Sequence, residues 1–239
     1  MASGMTATAV SAPPLEDVLA HLPVSGTMDY RKGQVIYSAD RPSVSIYLVA
    51  SGKVGISRIT QDGTEILLEI VRPDELFGES AFLDVSRRPE QAKALEDATL
   101  MLWAASHIED LVLNRPRLAV ALLQIFAQRN AEFTHRIESF SNDNIERRLA
   151  RSLIRFSERL GTPEEDGSVR MMPFTHELLS RYVGTSREVI TQYMNRFRKQ
   201  GYVSYSRHGI RLYRDALRAS ITGNCGALPA VRKAAVRPD

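Results

Sequence analysis

Residues 175–200, THELLSRYVGTSREVITQYMNRFRKQ, constrain the chain more than any other stretch. In their second half, Ile190, Tyr193, Met194 and Phe197 recur at i, i+3, i+4 and i+7, which lines one face of a helix with apolar side chains. The opposite face carries Arg187, Glu188, Thr191, Gln192 and Asn195. Thr185 followed by Glu188 has the spacing of a capping box, which would start this helix with Arg187 and Glu188 in its first turn. A shorter helix precedes it, with a stripe of Leu178, Leu179 and Tyr182, and Gly184 supplies the turn. The following GYVSYSRHGIRLY alternates as a β-hairpin. Two short helices, a glycine turn and a hairpin make a winged helix-turn-helix, whose second helix enters the major groove of double-stranded DNA.

The polar face has the chemistry for reading bases. Arg offers bidentate donors to guanine, Glu accepts from cytosine N4, and Gln or Asn pairs with adenine. Arg187, Glu188, Thr191 and Gln192 are therefore the candidate base readers. Thr175, Ser186, Arg196 and the wing residues Arg207 and His208 are the candidate phosphate contacts. Charge agrees with the motif. Residues 170–220 hold ten Lys and Arg against three Asp and Glu, a net of +7, whereas residues 1–114 hold nine against sixteen, a net of −7. The whole-chain value of +3 conceals this split. A basic carboxyl half suits phosphate contact, and an acidic amino half needs another task.

A chain of 239 residues holds two domains, each able to bury a core. The single Cys225 has no partner for an intrachain disulfide and rules out a cysteine-ligated zinc or iron–sulfur site within one chain. No apolar run reaches the roughly 18 residues of a membrane span, so a cytoplasmic protein is expected.

In the amino half, residues 35–37, 45–49, 53–60 and 65–71 read as short strands bounded by Gly33, Gly52 and the Asp62-Gly63 turn. Further strand character runs up to Trp103. This spacing predicts an antiparallel β-roll, or jelly roll, and an α+β fold class for the chain. A metal enzyme on such a barrel needs converging histidines, yet residues 24–104 contain none. His21, His107, His135, His176 and His208 form no clustered pair, so no metal is assigned. No catalytic constellation is visible either, which argues against an enzyme.

Residues 117–140 form a long helical pattern without Gly or Pro, with Pro116 at its start. Leu118, Leu122, Ile125, Phe133, Ile137 and Phe140 step by threes and fours as a seam for a partner helix. A second stripe of Leu123, Phe126, Ala127 and Asn130 would pack on the chain's own roll. Ser141-Asn142-Asp143-Asn144 is a polar break, residues 145–160 an amphipathic helix, and residues 161–171 a surface loop.

The order of β-roll, glycine-glutamate loop, long helix and winged helix-turn-helix resembles the Crp/Fnr family of bacterial transcription regulators, over about residues 20–215. Its most specific pieces are Lys32-Gly33, Ser51-Gly52, Phe77-Gly78-Glu79 and the run VGTSRE at 183–188. The resemblance implies a homodimer on palindromic DNA, contact with RNA polymerase, and in many members a ligand in the β-roll. While the composition of the two ends reads as a disordered tail (1–14) and a flexible tail (219–239), the resemblance also implies a cyclic-nucleotide-binding-like sensor (15–114), a dimerisation helix (115–141) and a DNA-binding domain (142–218). For members that bind a cyclic nucleotide such as cAMP, it implies effector contacts at Gly78, Glu79 and Arg88, and across the dimer at Phe133 and Thr134. Arg88 stands nine residues after Glu79. The pattern departs just beyond it: Pro89 has no N–H to offer a phosphate, and Glu90 adds an anion. Two readings stay open: Gly78-Glu79 as a plain turn with Arg87 and Arg88 on the surface, and a nucleotide-sensing regulatory subunit acting through protein contacts.

Overall fold

The computed structural model describes residues 17–23, 26–39, 41–42, 44–83, 88–206 and 209–222. The expected tail over 1–14, and Arg87, Arg207, His208 and Cys225, lie outside these residues.

Alternating side chains in the amino half build two antiparallel sheets. Strands β1 (Thr27–Tyr30), β3 (Ser45–Ser51), β6 (Leu76–Phe77) and β8 (Ala98–Ala104) form one, in the order β1-β8-β3-β6. Strands β2 (Val35–Tyr37), β4 (Val54–Ile59), β5 (Glu65–Val71) and β7 (Gln91–Ala94) form the other, in the order β2-β7-β4-β5. Val49, Phe77 and Leu100 of the first meet Tyr37, Val54, Val71 and Ala92 of the second in a shared core. This is the expected β-roll. The tight turn after β6 is set by Gly78, whose φ of +88° favours glycine.

Helix α1 (Ala105–Asn114) leads into α2 (Pro116–Asn142), which begins with proline in its first turn and runs without interruption. The polar break shortens to two residues, because Asp143 caps α2 and Asn144 caps α3 (Ile145–Leu160) by accepting from the Arg147 N–H.

The first half of α2 departs from the expectation in part: of the stripe expected on the roll, Phe126 packs there, but Leu123, Ala127 and Asn130 are exposed. Leu118 and Leu122 are buried on the roll's own core, with Ile125 packed beside them, whereas Leu123 is 67% exposed. The exposed line runs Val120, Leu123, Ala127, Asn130, Thr134, Ile137 and Ser141, alternating steps of three and four. That line has heptad spacing. The physical reason is that α1 folds back and presents Ile108 and Leu111 to the Leu118–Leu122 side, which fixes which stripe faces inward.

The carboxyl half holds α4 (His176–Val183), α5 (Arg187–Lys199) and α6 (Arg214–Thr222), beside a sheet of β9 (Thr162–Pro163), β10 (Val169–Met171), β11 (Val203–Ser206) and β12 (Gly209–Leu212) in the order β11-β12-β10-β9. The expected surface loop over 161–171 is therefore a hairpin, because Val169 and Met171 alternate inward onto the core. Residues 219–222, placed in the tail by sequence, belong to α6, whose Leu217 is fully buried. Leu149, Leu153, Phe156, Leu179, Ile190, Met194 and Phe197 form the centre of this half. Leu67 and Ile70 of β5 join the same cluster, so the roll and the helical half share a core.

Charged groups reinforce that junction. Arg136 of α2 donates to the carbonyls of Leu67, Leu68 and Tyr182, each at 2.7 Å. Arg129 pairs with Glu69 at 3.0 Å and Glu79 at 2.7 Å, and donates to the Leu76 carbonyl. Arg159 of α3 pairs with Glu75 at 2.9 Å and Glu69 at 3.2 Å. Among the described residues, no helix is long and apolar enough to cross a membrane.

Candidate nucleic-acid interface and effector site

Helix α4 ends at Gly184, whose φ of +72° and ψ of +55° close it in the left-handed conformation. The N–H groups of Gly184 and Thr185 both donate to the Ser180 carbonyl. A Cβ at 184 would lie 3.0 Å from the Phe140 ring of α2, so the turn also needs glycine for close approach. With its N–H committed to α4, Thr185 is not the cap of α5. Ser186 is, with its Oγ accepting from the Val189 N–H. The cap therefore sits one residue beyond Thr185, and the capping box expected from Thr185 and Glu188 does not form, since the third helical residue after Ser186 is Val189. Its own N–H, and secondarily Ser186, hold the Glu188 carboxyl below the usual range.

Arg187, Glu188 and Gln192 all project from the first turns of α5 and are exposed, while Ile190, Met194 and Phe197 anchor the opposite face. Arg196 is also exposed, but it pairs with Glu146 of α3 at 3.1 Å. Thr175 caps α4, accepting from the Leu178 N–H at 3.1 Å. Ser186 and Thr175 thus have structural duties beside the phosphate role expected of them. Thr191 is tied inward: its Oγ1 donates to the Arg187 carbonyl at 2.9 Å and stands 2.8 Å from His176 Nδ1. Since the hydroxyl has one proton, His176 supplies the other, which places its ring proton on Nδ1. Asn195 is likewise occupied, accepting from the Tyr205 hydroxyl of the wing at 2.9 Å.

His176 and Tyr205 are the parts that sequence reasoning missed. They hold the recognition helix to α4 and to the wing, with their rings edge-on at 5.7 Å. No spacing rule marks them, because they converge from three elements. Burial, and secondarily Arg187, push the His176 pKa below 6.5. A depressed histidine pKa means the unfolded chain binds the proton first, so stability rises with pH across the window below 6.5 and falls as pH drops through the folded value. His176→Gln is expected to flatten that acid limb of a stability-versus-pH curve measured by urea denaturation.

The effector residues are divided by the structure. Gly78 and Arg88 come together; Glu79, Phe133 and Thr134 do not join them. Arg88 is 3% exposed, which overturns the surface reading for this residue. Its guanidinium lies 4.0 Å from the Tyr37 ring centroid and donates to Ser45 O at 2.7 Å and to Gly78 O at 3.3 Å. Glu79 turns the other way to Arg129. Thr134 is exposed on the α2 seam, its Oγ1 donating to the Asn130 carbonyl, and Phe133 is part-exposed beside it. No cluster of His, Cys, Asp and Glu suited to a metal occurs among the described residues.

Comparison with known proteins matches residues 27–115 to the cyclic nucleotide-binding domain and residues 147–220 to the Crp-like helix-turn-helix domain. The transcriptional regulator SdrP of Thermus thermophilus is 31% identical over 183 residues, 75% of this chain and 86% of that protein. The chain belongs to the Crp/Fnr family. Another Crp/Fnr relative, a CRP-like cAMP-activated global transcriptional regulator of Mycobacterium tuberculosis, is 27% identical over 177 residues, 74% of this chain and 79% of that one. The structure of FixK2 from Bradyrhizobium japonicum shares the fold, with a TM-score of 0.72 at 21% identity, over 87% of this chain and all of that chain. The SdrP and Mycobacterium tuberculosis relatives are transcriptional regulators. The family places cyclic nucleotides among the effectors that such a domain admits. In this member, the residues at that position do not fit one as they stand: Arg88 is directed at protein carbonyls, Glu79 at Arg129, and the Glu90 carboxylate lies 3.9 Å from Arg88.

Proposed function

We propose that this Crp/Fnr member is a cytoplasmic, homodimeric, sequence-specific DNA-binding regulator that acts on transcription at palindromic operators through RNA polymerase. One observation carries the reading: Arg187, Glu188 and Gln192 are exposed together at the amino end of a helix whose other face is buried. Donors and acceptors of both kinds at that end suit base edges in the major groove. Arg198, Lys199 and Arg196 continue the positive face toward the helix's far end and suit phosphates. The dimer places two such helices on one duplex, through the heptad seam of α2. Asn130 and Thr134, polar at the middle of that seam, suit a fixed register between the two helices.

Selection from a random duplex library should recover a two-fold symmetric site. On that site Arg187→Ala is expected to cost about 1–3 kcal/mol and to relax preference at one base pair per half-site, measured by fluorescence anisotropy. Enrichment of no sequence would refute the reading. An equal loss on every duplex would reassign Arg187 to phosphate.

A further inference from the structure

Several places could carry chemistry beyond DNA binding. The cleft between the end of α2 and α3, about 600 Å³ and lined by Arg136, Arg148, Arg151 and Arg155, is rich in cations. However, it opens beside the seam that a second copy would cover. The acidic hollow around Glu69, Glu75 and Asp74 is already compensated by Arg129 and Arg159. The group that neither the fold nor DNA binding explains is the carboxylate inside the β-roll, next to the buried Arg88.

We propose that Glu90 is the resident anion of the β-roll: its carboxylate fills the role of a ligand phosphate toward Arg88, so the sensor is closed without a cyclic nucleotide. Arg88 offers five N–H donors on a side chain that is 2% exposed, and a buried guanidinium needs both acceptors and a counter-charge. Carbonyls of Ser45 and Gly78 supply acceptors without charge. Glu90 supplies the charge. Its Oε1 lies 3.9 Å from Arg88 Nη1 and accepts from the Ser80 hydroxyl at 2.7 Å and the Tyr37 hydroxyl at 3.4 Å. Ser80 in turn accepts from Arg88 at 3.3 Å, so the hydroxyl bridges cation and anion. Burial, with Glu90 beside it, drives the Tyr37 hydroxyl far above its ordinary pKa and keeps it a donor.

The backbone at Gly78 is packed closely against these groups. A Cβ on Gly78 would stand 3.0 Å from Ser45 O, 3.1 Å from the Tyr47 ring and 3.2 Å from Arg88 Nη1. Tyr37, Tyr47 and Phe77 stack beside the guanidinium, with centroids 5.1–6.1 Å apart. A phosphate entering here would have to displace Glu90 or share Arg88 with it, against like-charge repulsion at short range. Pro89 removes the N–H that would otherwise help to hold it. Glu79 is held by Arg129 of α2, which ties the roll to that helix.

The consequence for gating rests on the regulator reading, but the test measures ligand and DNA separately. Full-length wild type is dialysed against labelled cAMP and cGMP, and its melting temperature is followed with inorganic phosphate, sulfate and each nucleotide. Wild type should retain neither nucleotide, and its DNA affinity should not change with either. Glu90→Ala should melt lower than wild type. It should then regain stability as phosphate or sulfate is raised through the millimolar range, because an anion that binds only the folded state shifts the equilibrium toward it. Glu90→Gln keeps the shape and removes the charge, so it should show the same anion dependence, and it carries the test should Glu90→Ala not fold. Saturable binding of one cyclic nucleotide per wild-type subunit would overturn the proposal. So would variants that melt like wild type and ignore anions. Failure to bind any duplex would refute the regulator reading and leave these ligand results intact.

Discussion

Leu123→Asp combined with Ile137→Asp is expected to give monomers in analytical ultracentrifugation and to abolish tight binding to a palindromic duplex. The two residues are 67% and 65% exposed and lie two heptads apart on the same line of α2. Each apolar side chain buried against a partner contributes about 1.5–3 kcal/mol, and a two-fold seam loses it twice. Aspartates would also oppose aspartates across the axis. Neither side chain belongs to the roll's own core, so the monomer should keep its fold and its circular dichroism. Tethered half-site contacts reinforce each other through effective concentration, and a monomer forfeits that gain. A variant that still sediments as a dimer would move the interface elsewhere.

Arg129→Met is expected to destabilise the fold by about 3–5 kcal/mol in urea denaturation near neutral pH, the range for removing one partner of a buried ion pair. Arg129 sees three carboxylates, Glu69, Glu79 and Glu75. Burial alone would lower its pKa, but they outweigh it, so it stays charged. Glu69 is different. Burial raises its pKa above 4.5, with Arg129 and Arg159 opposing and Glu75 and Glu79 assisting. Its folded pKa lies above the unfolded one, so between those two values the folded state holds the extra proton, and stability falls as pH rises. Without Arg129 the folded pKa climbs further. The deficit of the variant should therefore shrink as pH is lowered toward about 4.5. Glu69→Gln in the same background should recover part of the loss at neutral pH. A deficit independent of pH would mean that lost packing, not an orphaned charge, is responsible.

What the sequence made legible follows from how local each signal is. Strands β2 and β5 coincide with the residues read from alternation, and α4 and α5 with the stripes around Leu179 and Met194. Those patterns report on one face of one element, and the tertiary contacts agree with them. The α5 cap was misplaced by one residue because Thr185 is consumed by the closure of the preceding helix, a fact about α4 rather than about the capping motif. The inward face of the first half of α2 was misread because the helix is apolar on two sides. Only the landing of α1 decides which side is inward. The strands of the 161–171 hairpin were too short for alternation to register.

The candidate sites divide in the same way. The exposure of Arg187, Glu188 and Gln192 was legible because they occupy the polar side of a strongly amphipathic helix. Thr191 was on that side too, but its hydroxyl is held by His176, which lies 15 residues away in another helix. Arg88 beside a second arginine reads as surface. Its burial depends on Tyr37, Ser45 and Gly78 converging from three strands and turns, which no linear spacing announces.

The contribution of β5 to the carboxyl-terminal core bears on any attempt to graft this regulator. Cutting the chain at Asp143-Asn144 looks clean on paper, since the break is polar and only two residues long. It would nonetheless strip Leu67 and Ile70 from the packing around Tyr182 and Phe156 and leave a greasy scar on the excised module. A functional chimera with a foreign sensor would have to bring along a strand whose outer side chains match that scar.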